Sequence, residues 1–237
     1  ERHWGDWVKL NAVTLLGALP LVFGITLAIG SSSILVLFPC SILGGMFFGP
    51  FLAGMCDALL RAMRDDPTPM WMGWRKSWNQ NWKGSLLPGG VLGFMLGLFS
   101  FMGMLFWWAS GTPSLSTVLL LIFSMLLTLV FTQLYFSQLV LFSQSPILRL
   151  RNAVLFCIQY FWRVMGTGLL QIFYWAIYLL FSPWTLLLLP ILGLWYIQFV
   201  SEILIYPQLD AAFDIEASFG SKEAHGCFTP FSRTKPM

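Results

Sequence analysis

Uncharged apolar runs of about 20 residues recur along this chain, and as helices each is long enough to cross a hydrocarbon core about 30 Å thick. The bilayer offers the backbone no water, so a crossing segment must satisfy its own N–H and C=O groups as a helix or within a closed barrel. The runs are continuous, whereas barrel strands are short and alternate in polarity, so helices are expected. The chain has 237 residues, 57% hydrophobic and 10% charged, against about 25% charged in a soluble domain. The pattern predicts an all-α polytopic transmembrane helical bundle with six spans, near residues 10–29, 34–56, 86–108, 115–142, 154–181 and 184–206. Residues 1–206 form the membrane domain in this reading, and 207–237 form a partly disordered cytoplasmic tail. The first span is not expected to be a cleaved signal, because it is long, lacks a small-residue cleavage site and is followed by further spans.

The charges set an orientation. Connections 30–33, 109–114 and 182–183 carry none. Arg2 and Lys9 precede span one, and Arg61, Arg64, Arg75, Lys76 and Lys83 lie between spans two and three. Arg149 and Arg151 precede span five, and Lys222, Arg233 and Lys235 lie in the tail. Only Arg163 falls inside a span. The positive-inside rule makes the basic side cytoplasmic, so both termini are expected there, in a multi-pass protein of the inner (plasma) membrane.

Between spans two and three, Trp71, Trp74, Trp78 and Trp82 recur at helical spacing, with Arg75, Lys76 and Lys83 among them. At 100° per residue the four indoles share a face, which predicts an amphipathic helix over 70–83 lying in the membrane interface. Its indoles would sit at headgroup depth and its cations would face anionic lipid on the cytoplasmic side. Packing of the tryptophans against neighbouring protein is the alternative.

Within the spans, Gly45, Gly49 and Ala53, and again Gly93 and Gly97, repeat every four residues. That spacing lets helix backbones approach closely, and Pro50 removes a backbone donor beside it. Asp57, Arg61, Gln133, Gln138, Gln159, Arg163, Gln198 and Glu202 are polar and lie toward the cytoplasmic side of their spans. Ionisable groups at such depths seek partners and mark candidate sites, so a cytoplasm-facing polar cavity is one expectation, with Arg163 paired to Glu202 or to Asp57. Interfacial, purely structural charges are the other.

Catalytic patterns are missing. His3 and His225 lie outside the spans, and none of the H-E-x-x-H, G-x-S-x-G and phosphate-loop motifs occurs. Cys40, Cys56, Cys157 and Cys227 form no C-x-x-C pair, so no metal centre or disulfide framework is expected. Asp210, Asp214 and Glu216 could share a solvated helical face. The reading is a non-enzyme without cofactor or nucleic-acid partner, facing lipid and, in one version, a second copy of itself.

The pieces KLNAVTLLGALPL, GPFLAGMCDALLRAMRDD, WNQNWKGS and SPILRLRNAVLFCIQYFWR follow an order that resembles the YesL-like family of bacterial membrane proteins. Asn11, Pro20, Gly49, Pro50, Ala53, Arg61, Trp78, Asn81, Trp82, Lys83, Pro146 and Arg149 stand at the family's pattern positions. An additional apolar stretch, about 23–44, separates Asn11 from Gly49–Pro50 more widely than the family pattern does. The resemblance implies an accessory or regulatory part beside a carbohydrate ABC-transport system, with its subunits as partners. A small transporter or channel using the polar cavity is the rival reading.

Overall fold

The computed structural model describes residues 4–108, 113–213 and 215. Among them the chain is helical throughout, without strands. The order is α1 (Trp4–Gly30), α2 (Ile34–Met63), α3 (Met70–Trp108), α4 (Leu115–Leu141), α5 (Pro146–Gln159), α6 (Phe161–Leu180), a 3₁₀ turn (Trp184–Leu187), α7 (Leu189–Leu192) and α8 (Leu194–Phe213). Six helical segments are long and apolar enough to cross a membrane: α1, α2, α3, α4, α6 and α7–α8 together. His3, Asp214, Glu216, His225, Cys227 and the tail cations lie outside the described residues.

α1 and α2 are separate helices. Ser32, at φ 52°, makes the turn between them. α2 and α3 then run antiparallel and pack along most of their length. The cause is the absence of side chains at the contact: a Cβ built on Gly45 would lie 2.6 Å from the Gly93 Cα, and one on Gly89 2.8 Å from the Gly49 Cα. A Cβ on Gly97 would meet Ser41 Oγ at 2.5 Å. The four-residue glycine spacing therefore serves packing within one chain. Pro39 and Pro50 lie inside α2 without ending it.

At the charged end the hairpin turns through an ion-pair cluster. Arg61 Nε donates to Asp57 Oδ2 at 2.7 Å and its Nη1 to Asp66 Oδ2 at 2.8 Å, while Asp66 Oδ1 accepts from the Thr68 amide at 2.8 Å. Partial burial would raise the Asp66 carboxyl, but the Thr68 hydrogen bonds and the Arg61 guanidinium outweigh it and hold the group below the usual carboxylate range. Asp65 takes a positive φ of 51°, a conformation Asp tolerates better than most residues.

Two expectations are corrected here. The segment 70–83 is not a separate interfacial helix; it is the first third of the 39-residue α3. Trp74 and Trp78 turn inward, where Phe51 of α2 lies 6.0 and 6.1 Å from their rings, and Trp74 fills the gap over Gly54. Only Trp71 and Trp82 stay outward, at 54% and 42% exposure. The shared face was real, but α2 continues past the apolar core and covers it. Arg75, Lys76 and Lys83 remain exposed.

The second correction concerns span five. α5 is a distinct helix, capped by Ser145 with Pro146 in its first turn, and α6 begins only at Phe161. α5 buries Ala153, Phe156 and Cys157 against the bundle and exposes Ile147 (82%) and Ile158 (70%) on the other side, with Leu150 and Val154 beside them. Burial pushes the Cys157 thiol up to about 11, in keeping with a thiol that packs as an apolar group. α8 also runs past 206 to Phe213, because Leu209 and Ile215 are buried in the same cluster. The start of the expected tail thus belongs to the bundle.

Candidate functional site: a buried polar cluster

The C-terminal half of α4, the middle of α6 and the first half of α8 meet through side-chain amides, hydroxyls and one carboxylate. Glu202 of α8 has no exposed surface. Its Oε1 accepts from Ser137 Oγ of α4 at 2.6 Å and from Gln198 Nε2 at 3.1 Å. Gln171 of α6 donates to Gln133 Oε1 of α4 at 2.7 Å and to Ser201 Oγ at 3.3 Å. Gln198 also reaches Cys56 Sγ of α2 at 3.9 Å. An acid in so apolar a bundle is costly unless hydrogen-bonded, and every bond made to Glu202 comes from a neutral donor.

The bonding is incomplete. Glu202 Oε2 and the Gln133 amide nitrogen face each other at the margin of hydrogen-bonding geometry, and neither has a well-formed protein partner. Both side-chain polar atoms of Gln138, also fully buried, lack one too. Buried polar atoms are rarely left so, and the facing Glu202 and Gln133 atoms mark a place for a bridging molecule or ion. Beside them is a cavity of about 210 Å³, with Gln133, Gln171 and Gln198 on its polar wall and Phe136 and Trp175 on its apolar one.

A second construction supports α8 from above. α7 and α8 are interrupted at Gly193, which frees backbone groups that a continuous helix would pair. Asn11 of α1, fully buried, donates to the carbonyls of Leu189 and Pro190, both at 2.8 Å, and accepts from the Trp195 amide at 3.3 Å. Tyr174 donates to the Leu192 carbonyl, and Trp195 Nε1 to the Ile191 carbonyl at 2.6 Å. The carbonyls freed at the break, and the Trp195 amide, are therefore met by side chains, as interrupted membrane helices require.

Of the eight expected cavity residues, the structure brings together Gln133, Gln198 and Glu202, with Gln138 buried on the same helix as Gln133. Arg163 is not among them and pairs with neither Glu202 nor Asp57. It sits exposed in the first turn of α6, where Nη1 donates to the Gln208 side-chain oxygen once that amide is oriented to suit its neighbours. Gln159 is exposed at the end of α5. Asp57 and Arg61 belong to the α2–α3 turn. For Gln159 and Arg163 the cause is α5, which moves the start of α6 to the bundle's edge. Gln171, Ser201 and Asn11 were missed, although Gln171 carried the same signal as Gln133, an amide within an apolar run.

Among the described residues no group of three His, Cys, Asp or Glu could hold a metal ion. No protein-family model, curated protein or solved structure matches the chain.

Proposed function

We propose that this membrane protein binds and passes a small polar solute at the Gln133–Gln171–Gln198–Glu202 cluster, in a step that depends on a proton or a cationic guest at Glu202. The observation that carries this reading is a fully buried carboxylate with neutral partners only, one oxygen met by no more than a marginal contact from Gln133, and a cavity behind Gln133 and Gln198. A lone ionised acid at such a place is prohibitively costly, so the carboxyl either carries a proton or meets a positive charge. Three amides and an indole suit a hydrogen-bonding solute of a few heavy atoms. No nucleophile–base pair is built into the cluster, so a non-enzymatic role is proposed. The test is flux into liposomes for a panel of small cations, amines and neutral polyols, with and without a pH gradient. Flux that Glu202→Gln abolishes, and that Gln159→Ala leaves unchanged, supports the proposal. Absence of flux across the panel in both pH regimes would sink it.

The accessory reading, beside a carbohydrate ABC-transport system, keeps support from one observation besides the YesL-like resemblance. The first half of α4 exposes Leu115, Leu119, Leu120 and Phe123 and packs little within the chain. Such a face suits a transporter subunit or a second copy as well as lipid. Gentle-detergent copurification decides: a stoichiometric transporter subunit supports this version, and a chain that purifies alone or as a homo-oligomer removes it. In both versions the exposed cations Arg75, Lys76, Lys83 and Arg151 face anionic headgroups on the cytoplasmic side of the cell membrane.

A further inference from the structure

Asn11 fixes the depth of the last helical hairpin. It lies two residues from Lys9 and binds the α7–α8 junction directly. From Asn11, α1 continues to Gly30, 19 residues or about 28 Å farther toward the uncharged end. α2 gives the same measure independently. Gln198 lies against Cys56, and from Cys56 back to Ile34 is about 33 Å of helix. The start of α8, one turn before Gln198, is therefore most of a bilayer short of the far ends of α1 and α2.

The excursion before that junction is short. α6 runs antiparallel to α8, since Arg163 meets Gln208, Gln171 meets Ser201 and Tyr174 meets Leu192. Beyond Tyr174 it has six residues left, about 9 Å. The chain then doubles back at once: Thr185 Oγ1 donates to the Tyr178 carbonyl at 2.6 Å, and α7 packs on α1. The tip therefore stops roughly halfway along α1, well short of the core thickness of about 30 Å. Its chemistry fits that depth. Residues 181–193 carry no charge, and Leu179, Leu180, Trp184 and Leu187 are all more than 70% exposed. A tip reaching water would hold that surface against solvent, whereas acyl chains cover it without cost.

The geometry points to a re-entrant hairpin: α6, the 3₁₀ turn, α7 and α8 enter and leave the bilayer on the charged side, and the tip 179–188 sits among lipid acyl chains. α1 to α4 then make the full crossings. The count of crossings stays even, so both termini still share a side. The polar cluster would open toward the charged side, and a path to the other face would run beside the hairpin, between α3 and α4, whose Leu96 and Met125 line the cavity. The inference stands on the Asn11 and Gln198 contacts and does not depend on the solute reading.

The test is side-specific thiol labelling of the whole protein in oriented membranes, in a background with the native cysteines replaced by alanine. A membrane-impermeant maleimide is applied from the side opposite the termini. Ser32→Cys, in the α1–α2 turn, is the positive control. Thr185→Cys at the tip should label at least about tenfold more slowly, because a thiol in hydrocarbon scarcely ionises. Labelling at the Ser32→Cys rate from that side would overturn the proposal. Should the cysteine-free chain fail to fold, a fluorinated tryptophan at position 184 in the native background replaces it. Broadening by a lipid-soluble paramagnet with none by an aqueous chelate on that side supports re-entry, and the reverse overturns it.

Discussion

The α1–α3 half and the α4–α6–α8 half of the bundle are held together by opposite means. In the first, glycines bring backbones into contact, and the buried hydroxyls of Thr14, Ser41 and Ser85 bond to carbonyls of their own helices. In the second, buried polar side chains bond across helices, from Ser137 to Glu202 and from Gln171 to Gln133, and some atoms are left over. The first half spends its small residues on close approach, and the indole nitrogens of Trp74 and Trp78 are left there without a partner, but no buried acid is. The second keeps a costly acid and incomplete bonding, which packing alone does not require. The difference separates scaffold from candidate site.

The largest effect should come from the scaffold. Gly45→Leu would drive a branched side chain into the Gly93 backbone, and overpacking of this kind costs about 1–3 kcal/mol or more. Thermal unfolding in detergent should show the largest drop for this variant, and an unchanged midpoint would break the comparison. Asn11→Leu comes next. It is similar in size but leaves the Pro190 carbonyl and the Trp195 amide without Asn11, while Leu189 keeps only the Gly193 amide, at about 1–3 kcal/mol. The loss should fall on protection of the α7–α8 amides in hydrogen exchange while the α2–α3 amides stay protected. Uniform loss would mean that the halves are not separable. Arg163→Ala should change stability by less than about 0.5 kcal/mol, as exposed substitutions usually do. A larger fall would restore Arg163 to the interior.

Smallest is a pH effect at the α2–α3 turn. The Asp66 carboxyl is held below its unfolded value, so its contribution is complete above the ordinary Asp range near about 3.9. It is lost as pH falls through the lower folded value. Asp66→Asn should therefore lower the neutral plateau slightly and flatten the acid side, so that the two stability profiles converge at low pH. An acid limb identical to that of the unmodified protein would show that the ion pair adds nothing there.

The helical segments and their polarity were legible because hydropathy and charge act over twenty residues at a time. The glycine contacts were legible as spacing, since Gly45 and Gly93 need only a period to declare a face. What covers a face was not legible. The tryptophan stripe looked the same whether lipid or α2 lay opposite, and only the length of α2 decides it. Glu202, Gln133 and Gln198 stood out as polar residues in apolar runs, but the choice of Arg163 as partner assumed one long helix over 154–181. The turn at Tyr160 breaks that helix and carries Arg163 away. Asn11 could not be assigned its role from the sequence, because the role exists only once Gly193 interrupts α8 and the two meet 182 residues apart.

The central claim is that the Glu202 cluster holds a guest and is not simply a structural knot. The most direct measurement is a high-resolution structure of the protein in a lipid nanodisc, examined between Glu202 Oε2 and Gln133 Nε2. Non-protein density bridging those two atoms and continuing into the adjoining cavity is the predicted result. A short, well-aligned Gln133–Glu202 hydrogen bond in place of the present marginal contact, with apolar side chains closed over the cavity, would contradict it.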